Sequence, residues 1–168
     1  ADLPREGIDT IIVETTRGGS PRREDYTRAS EIDRLTDTIN EILDARGSVL
    51  MPVFAMGKTQ ELLLVLHELE QDGRIPKVPV HIGGLSTKMT QIYDRLSSHS
   101  RRNYPGFKIL QELDLIICST RKSARQVDFQ PGCIYALSSG MMSQNTFSNQ
   151  FSRYFIENER CGVLFVGY

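Results

Sequence analysis

Hydrophobic positions along the chain fall into short runs separated by stretches with helical spacing. Residues 8–14 are rich in β-branched side chains and predict a buried strand. After a polar loop rich in Arg and Gly, residues 27–46 place Ile32, Leu35, Ile39, Ile42 and Leu43 on one helical face, with Gly47 as the stop. Residues 49–54 predict a second strand, followed by a helix over 57–71. The Leu62-Leu63-Leu64-Val65-Leu66 run of that helix is apolar all round, so it should be well covered. Residues 78–82 predict a third strand, and Met89, Ile92, Tyr93 and Leu96 mark the next helix. The least regular stretch, 97–106, reads as a surface excursion. A fourth strand is expected over 113–118 with a short helical turn near Ser123, and a fifth over 134–137. Phe147, Phe151, Tyr154 and Phe155 stripe a final helix before a sixth strand at 163–166. The spacing of those aromatics favours core packing over base stacking.

Strands that alternate with helices require right-handed crossovers and a mainly parallel sheet. The expected fold is therefore α/β, a three-layer sandwich with about six strands and helices on both faces. At 168 residues, 1–168 is one domain rather than two. The chain opens almost directly in a strand and closes at Val166-Gly167-Tyr168, which reads as a segment cut from a longer polypeptide. Lys+Arg 20 against Asp+Glu 21 leaves the charge near neutral, so any nucleic-acid role depends on where the cations sit. No apolar run reaches the roughly 20 residues a bilayer span needs, so no membrane partner is expected. Cys118, Cys133 and Cys161 are odd in number, lack C-x-x-C spacing and lie in or beside apolar runs. Buried reduced thiols and a cytoplasmic protein are the expectation.

Ligands of a parallel sheet gather at the carboxyl ends of its strands. The first five expected strands deliver Glu14-Thr15-Thr16-Arg17-Gly18-Gly19, Ala55-Met56-Gly57-Lys58-Thr59-Gln60, Gly83-Gly84-Leu85-Ser86-Thr87-Lys88, Ser119-Thr120-Arg121-Lys122 and Ser138-Ser139-Gly140-Met141-Met142. Glycines admit an anion to backbone N–H groups, helix N-termini add partial positive charge, and Lys58, Lys88, Arg121 and Lys122 supply full charges. A polyanion fits such a rim; ordinary capping turns beside solvated cations would produce the same residue types. Gly57-Lys58-Thr59 imitates the end of a P-loop, but Pro52 stands where the pattern needs glycine. Ser138-Ser139-Gly140 lacks the leading glycine of a nucleophile elbow. His67, His81 and His99 are scattered without metal-ligand spacing and read as packing or surface residues.

Four segments together carry a resemblance. Ile12-Val13-Glu14-Thr15-Thr16-Arg17-Gly18, Val49-Leu50-Met51-Pro52-Val53-Phe54-Ala55 followed by Gln60-Glu61-Leu62-Leu63, Ala136-Leu137-Ser138-Ser139-Gly140-Met141-Met142, and Val163-Leu164-Phe165-Val166-Gly167-Tyr168 occur in the order of β-CASP motifs. The chain resembles the β-CASP cassette of the metallo-β-lactamase-fold RNA-processing nucleases, the family of RNase J and the pre-mRNA 3′-end endonuclease. Arg17 stands where that family usually has Tyr, and the H-x-H-x-D-H metal signature is not in the chain.

The resemblance implies a clamp that positions RNA for a zinc-dependent ribonuclease, without catalysis by the cassette itself. Its partners would be RNA and the metallo-β-lactamase domain of the same polypeptide, with room for a homodimer of the parent enzyme. No cofactor is expected in the segment; zinc belongs to the lactamase domain. Glu14, matching the family's acidic motif, would steady a lactamase-domain histidine, and Ser138, Ser139 and Gly140 would join the cations in touching RNA. Two rivals remain from the residues alone: a self-contained phosphate-ligand binder of Rossmann-like shape, and a non-catalytic protein-interaction scaffold.

Overall fold

The structure is a computed structural model that describes residues 7–15, 18–20, 23–118 and 129–166. It divides into two compact units, residues 1–33 and 34–168. In the first, the expected strand over 8–14 does not form. Residues 10–15 have no regular structure, and Ile12 is 95% exposed. A strand needs a neighbour to take its N–H and C=O groups, and this unit holds no other strand among the described residues. The unit also contains the start of helix α1 (Arg28–Asp44). There Thr27 N–H donates to Ser30 Oγ at 3.0 Å and Ser30 N–H donates to Thr27 Oγ1 at 3.1 Å, a reciprocal cap.

The second unit holds β1 (Val49–Pro52), α2 (Lys58–Gln71), β2 (Val80–Gly83), α3 (Leu85–Arg95), α4 (Ile109–Glu112), β3 (Leu115–Cys118), β4 (Ile134–Leu137), α5 (Phe147–Ile156) and β5 (Gly162–Val163). The five strands form one parallel sheet in the order β3-β2-β4-β1-β5. They correspond to the second through sixth strands expected, so the sheet has five strands rather than six. The last is short, though Leu164 N–H continues its ladder by donating to Leu50 O at 2.8 Å.

Alternation along each strand sorts side chains onto two faces. On one face Leu50, Tyr135 and Leu137 pack with Phe151 and Phe155 of α5, so most of the aromatic stripe is core; Tyr154 points outward. Tyr135 stacks on His81 at a centroid distance of 4.4 Å and donates its hydroxyl to Gln130 O at 3.3 Å. Burial lifts that phenol to about 12. The opposite face is covered by α2, whose Leu63 and Leu66 share a cavity wall with Ile134, and by α1, whose Ile42 lies against Gly162. The layers are thus helix, sheet, helix.

Gly47 does not end α1 by a left-handed turn, as its position suggests. Arg46 takes that conformation at φ 57°. Gly47 is required instead because a Cβ there would run into the backbone of Arg160. The excursion over 97–106 is largely exposed. It is pinned by buried Asp94, whose carboxylate accepts Ile109 N–H at 2.9 Å and Leu110 N–H at 2.8 Å. No helix among the described residues is long and apolar enough to cross a membrane.

Candidate nucleic-acid interface

β2, β4 and β1 end side by side, with Leu137 in register with both Gly83 and Pro52. The Ser138-Ser139-Gly140 turn therefore lies between the exits of the other two strands, and Gly140 rests against Phe54. Ser138 is buried and its hydroxyl donates to Gly83 O at 3.2 Å, a carbonyl that Ser86 Oγ also bonds at 2.7 Å. Ser148, at the start of α5, donates its N–H to Ser138 O at 3.2 Å and its hydroxyl to Ser139 O. The Ser138–Ser139 peptide bond is cis.

A second buried web lies under the same rim. Gln60 Oε1 accepts Gly57 N–H at 2.7 Å, and its Nε2 donates to Thr90 Oγ1 at 2.8 Å and Ala55 O at 3.2 Å. Thr59 Oγ1 donates to Phe54 O at 2.7 Å, and Thr90 Oγ1 to Ser86 O at 2.9 Å. A satisfied polar network of this kind holds α2 and α3 in one arrangement. The Gln60–Thr90 link joins residues 30 apart in sequence, and only helical placement on a common sheet brings them together.

Two hydroxyls of the rim have no hydrogen-bond partner although water cannot reach them: Ser139 Oγ and Thr87 Oγ1. Thr87 lies in the first turn of α3, whose N-cap Gly84 makes no side-chain cap. The leading N–H groups of that helix and its dipole favour an anion. Lys88 is exposed one residue on, and Lys58 is exposed with Glu61 Oε2 at 2.9 Å. A surface pair of this kind contributes at most about 1 kcal/mol, which leaves Lys58 free to exchange partners.

Arg121 and Lys122 lie outside the described residues, as do Arg17 and the helical turn expected near Ser123. Glu14 is exposed and ends no strand. Among the described residues, the strand exits bring together Lys58, Lys88 and a serine-threonine web. Exposed Phe54, Leu85, Met56 (68%) and Met141 (60%) join the same rim. The signal for Met56, Leu85 and Met141 was present in the sequence, where each adjoins a glycine just after an expected strand.

His81 is buried against Tyr135 with Cys118 Sγ 3.8 Å from Nδ1, His67 packs near Phe107, and His99 contacts its neighbour Ser98. The three thiols are free; Cys133 is buried and Cys118 and Cys161 are half-buried. Burial pushes the Cys118 thiol up to about 11. Among the described residues no group of three or more His, Cys, Asp or Glu side chains could hold a metal ion.

The sequence is similar to those of known proteins. The Beta-Casp domain model matches residues 59–168. The chain is 30% identical over 96% of its length to "Transcription termination factor FttA" of Methanocaldococcus jannaschii, and covers 26% of that protein. It is 28% identical over its full length to "Endoribonuclease ysh1" of Aspergillus fumigatus and 26% identical to "Cleavage and polyadenylation specificity factor subunit 3" of Dictyostelium discoideum. It spans 21% and 22% of those two proteins, about a quarter of the length of the relatives it matches. With the family model covering well over half the residues and the parallel sheet carrying the S-S-G-M-M turn at its carboxyl edge, the chain belongs to the Beta-Casp domain family.

Proposed function

We propose that the chain is the substrate-clamping domain of an RNA-processing nuclease, binding RNA phosphates along the β1–β4–β2 rim. The single observation carrying this reading is the rim itself, where exposed Lys58 and Lys88 stand at strand exits beside the first turn of α3, which has no side-chain cap. A phosphate oxygen accepts from the α3 N–H groups and from Lys88. RNA as the polyanion rests on the relatives, two of which are named for endoribonuclease or polyadenylation functions. A Rossmann-like nucleotide binder draws no support from the Gly57-Lys58-Thr59 loop, where Pro52 breaks the pattern.

The exposed Phe54, Met56, Leu85 and Met141 give the rim a second role. Apolar side chains around a polar site suit a domain that closes over bound substrate. In this reading a metallo-β-lactamase domain of the same polypeptide supplies that cover together with the zinc, and Glu14 latches onto one of its histidines. A carboxylate in that role orients an imidazole without touching substrate.

Single-stranded RNA binding as a function of salt tests the clamp. Lys58→Gln with Lys88→Gln should lower affinity and flatten the slope of log K against log salt by about 1–2, because each phosphate contact releases about one counterion. Unchanged affinity and slope in this double variant would make the rim solvated surface. For the latch, Glu14→Gln in the longer polypeptide should depress cleavage while RNA affinity holds; cleavage at the wild-type rate removes that role.

A further inference from the structure

At the opposite, amino-terminal end of the strands lies a cavity of about 390 Å³ that the RNA reading leaves unused. Val80, Leu115 and Ile134, the first residues of β2, β3 and β4, line it together with Leu63 and Leu66 of α2 and with Ile75. Around this apolar lining stand three carboxylates, Glu70, Glu112 and Asp114, against a single lysine, Lys77. Lys77 lies 3.9 Å from Glu70. Glu112 and Asp114 are exposed and have no cationic partner among the described residues. Phosphate would be repelled here; a cation with an apolar body would be held.

The cavity is continuous with an open strand edge, because Leu115 and Ile116 belong both to its lining and to β3. Among the described residues β3 ends the sheet. Edge strands are ordinarily defended by charge, proline or shortness. The four-residue Leu115-Ile116-Ile117-Cys118 strand is short but carries neither charge nor proline, and Ile116 and Ile117 are 42% and 51% exposed. An undefended edge offers a row of N–H and C=O groups that another polypeptide backbone satisfies in register, and that a small cation does not.

We propose that β3 and the acidic cavity form one docking site for an extended basic segment of a partner polypeptide. The segment pairs its backbone with β3, seats an aliphatic or aromatic side chain between α2 and β3, and sets lysine or arginine against Glu112 and Asp114. A cavity of this volume lies in the range that accommodates compact apolar groups with a few polar contacts. The cavity and its carboxylates, which anchor the segment, are at the far end of the strands from the proposed RNA rim, so the two ligands do not share an anchor.

The test is fluorescence anisotropy of a labelled peptide alternating lysine with leucine or valine, beside a control with glutamate in place of lysine. The basic peptide should bind, the acidic one should not, and Glu112→Lys with Asp114→Lys should weaken binding by roughly tenfold or more. Both substitutions are at exposed positions, so the fold is retained. Hydrogen exchange should show peptide-dependent protection at residues 115–118. Equal binding of both peptides, a loss under about twofold in the double variant, or protection elsewhere overturns the proposal. So does displacement of the peptide by RNA. Concentration-dependent dimerisation that excludes the peptide assigns the edge to a second copy and overturns it too. Failure of the peptide to bind the longer polypeptide assigns the edge to another segment of that polypeptide, and the proposal is overturned in that case as well.

Discussion

Gly84 is where the backbone of the rim leaves least freedom, and Gly84→Ala isolates two separable effects. Its φ of 77° and ψ of −143° lie in a region that residues with a Cβ hardly enter, and forcing alanine there costs about 1–3 kcal/mol. The added Cβ would also stand 2.6 Å from Ser138 Oγ. Ser138 is buried, so its hydroxyl escapes only by giving up the bond to Gly83 O, a further loss of about 1 kcal/mol. The sum, about 2–4 kcal/mol, is a large part of the roughly 5–15 kcal/mol that holds a domain folded. In a chain of this size it lowers the melting temperature by about 4–16 °C.

Urea unfolding followed by circular dichroism measures the loss, provided the slope with denaturant is unchanged. Gly84→Ala combined with Ser138→Ala should relieve the collision but not the backbone strain, recovering about 1 kcal/mol relative to additivity. A loss below about 1 kcal/mol in the single variant would refute the backbone argument. Complete rescue by Ser138→Ala would show that the collision was the whole effect.

Asp94→Ala should destabilise by about 2–4 kcal/mol, because Ile109 and Leu110 N–H lose charge-assisted acceptors at a buried site. Hydrogen exchange should then quicken first at 109–110, and Asp94→Asn should be milder. Burial lowers the pKa of His81, which faces Tyr135 and Cys118, below its ordinary 6.5. The unfolded chain therefore takes up a proton that the folded one refuses, so stability should fall as pH drops below about 6.5. His81→Gln should flatten that limb of the urea-midpoint profile against pH, and an unchanged limb would assign it to other groups.

Both the type and the order of most elements could be read along the chain. The helices over Arg28–Asp44 and Lys58–Gln71 and the strands of the second unit follow from periods of apolar residues, which neighbouring positions in sequence define by themselves. The run at 8–14 had the same β-branched character yet is no strand, since a strand is completed by a partner that local sequence does not name. The order β3-β2-β4-β1-β5 was equally out of reach: parallel neighbours are chosen by which faces pack, and Val49 finds Ile134 across 85 residues.

The site divides in the same way. Strand-exit position marked Ser138, Ser139, Gly140, Lys58 and Lys88 as candidates, because a parallel sheet collects its loops at one end. Sequence could not say that Gln60 bonds Thr90, that Ser139 and Thr87 are left without partners, or that Asp94 anchors the excursion. Each depends on a burial and a direction set by residues far away in the chain. Gly47 shows the distinction within one residue. Its type was legible as a helix stop, but Arg46 turns the chain and the backbone at Arg160 is what excludes a side chain, because close approach between distant segments is a property of packing alone.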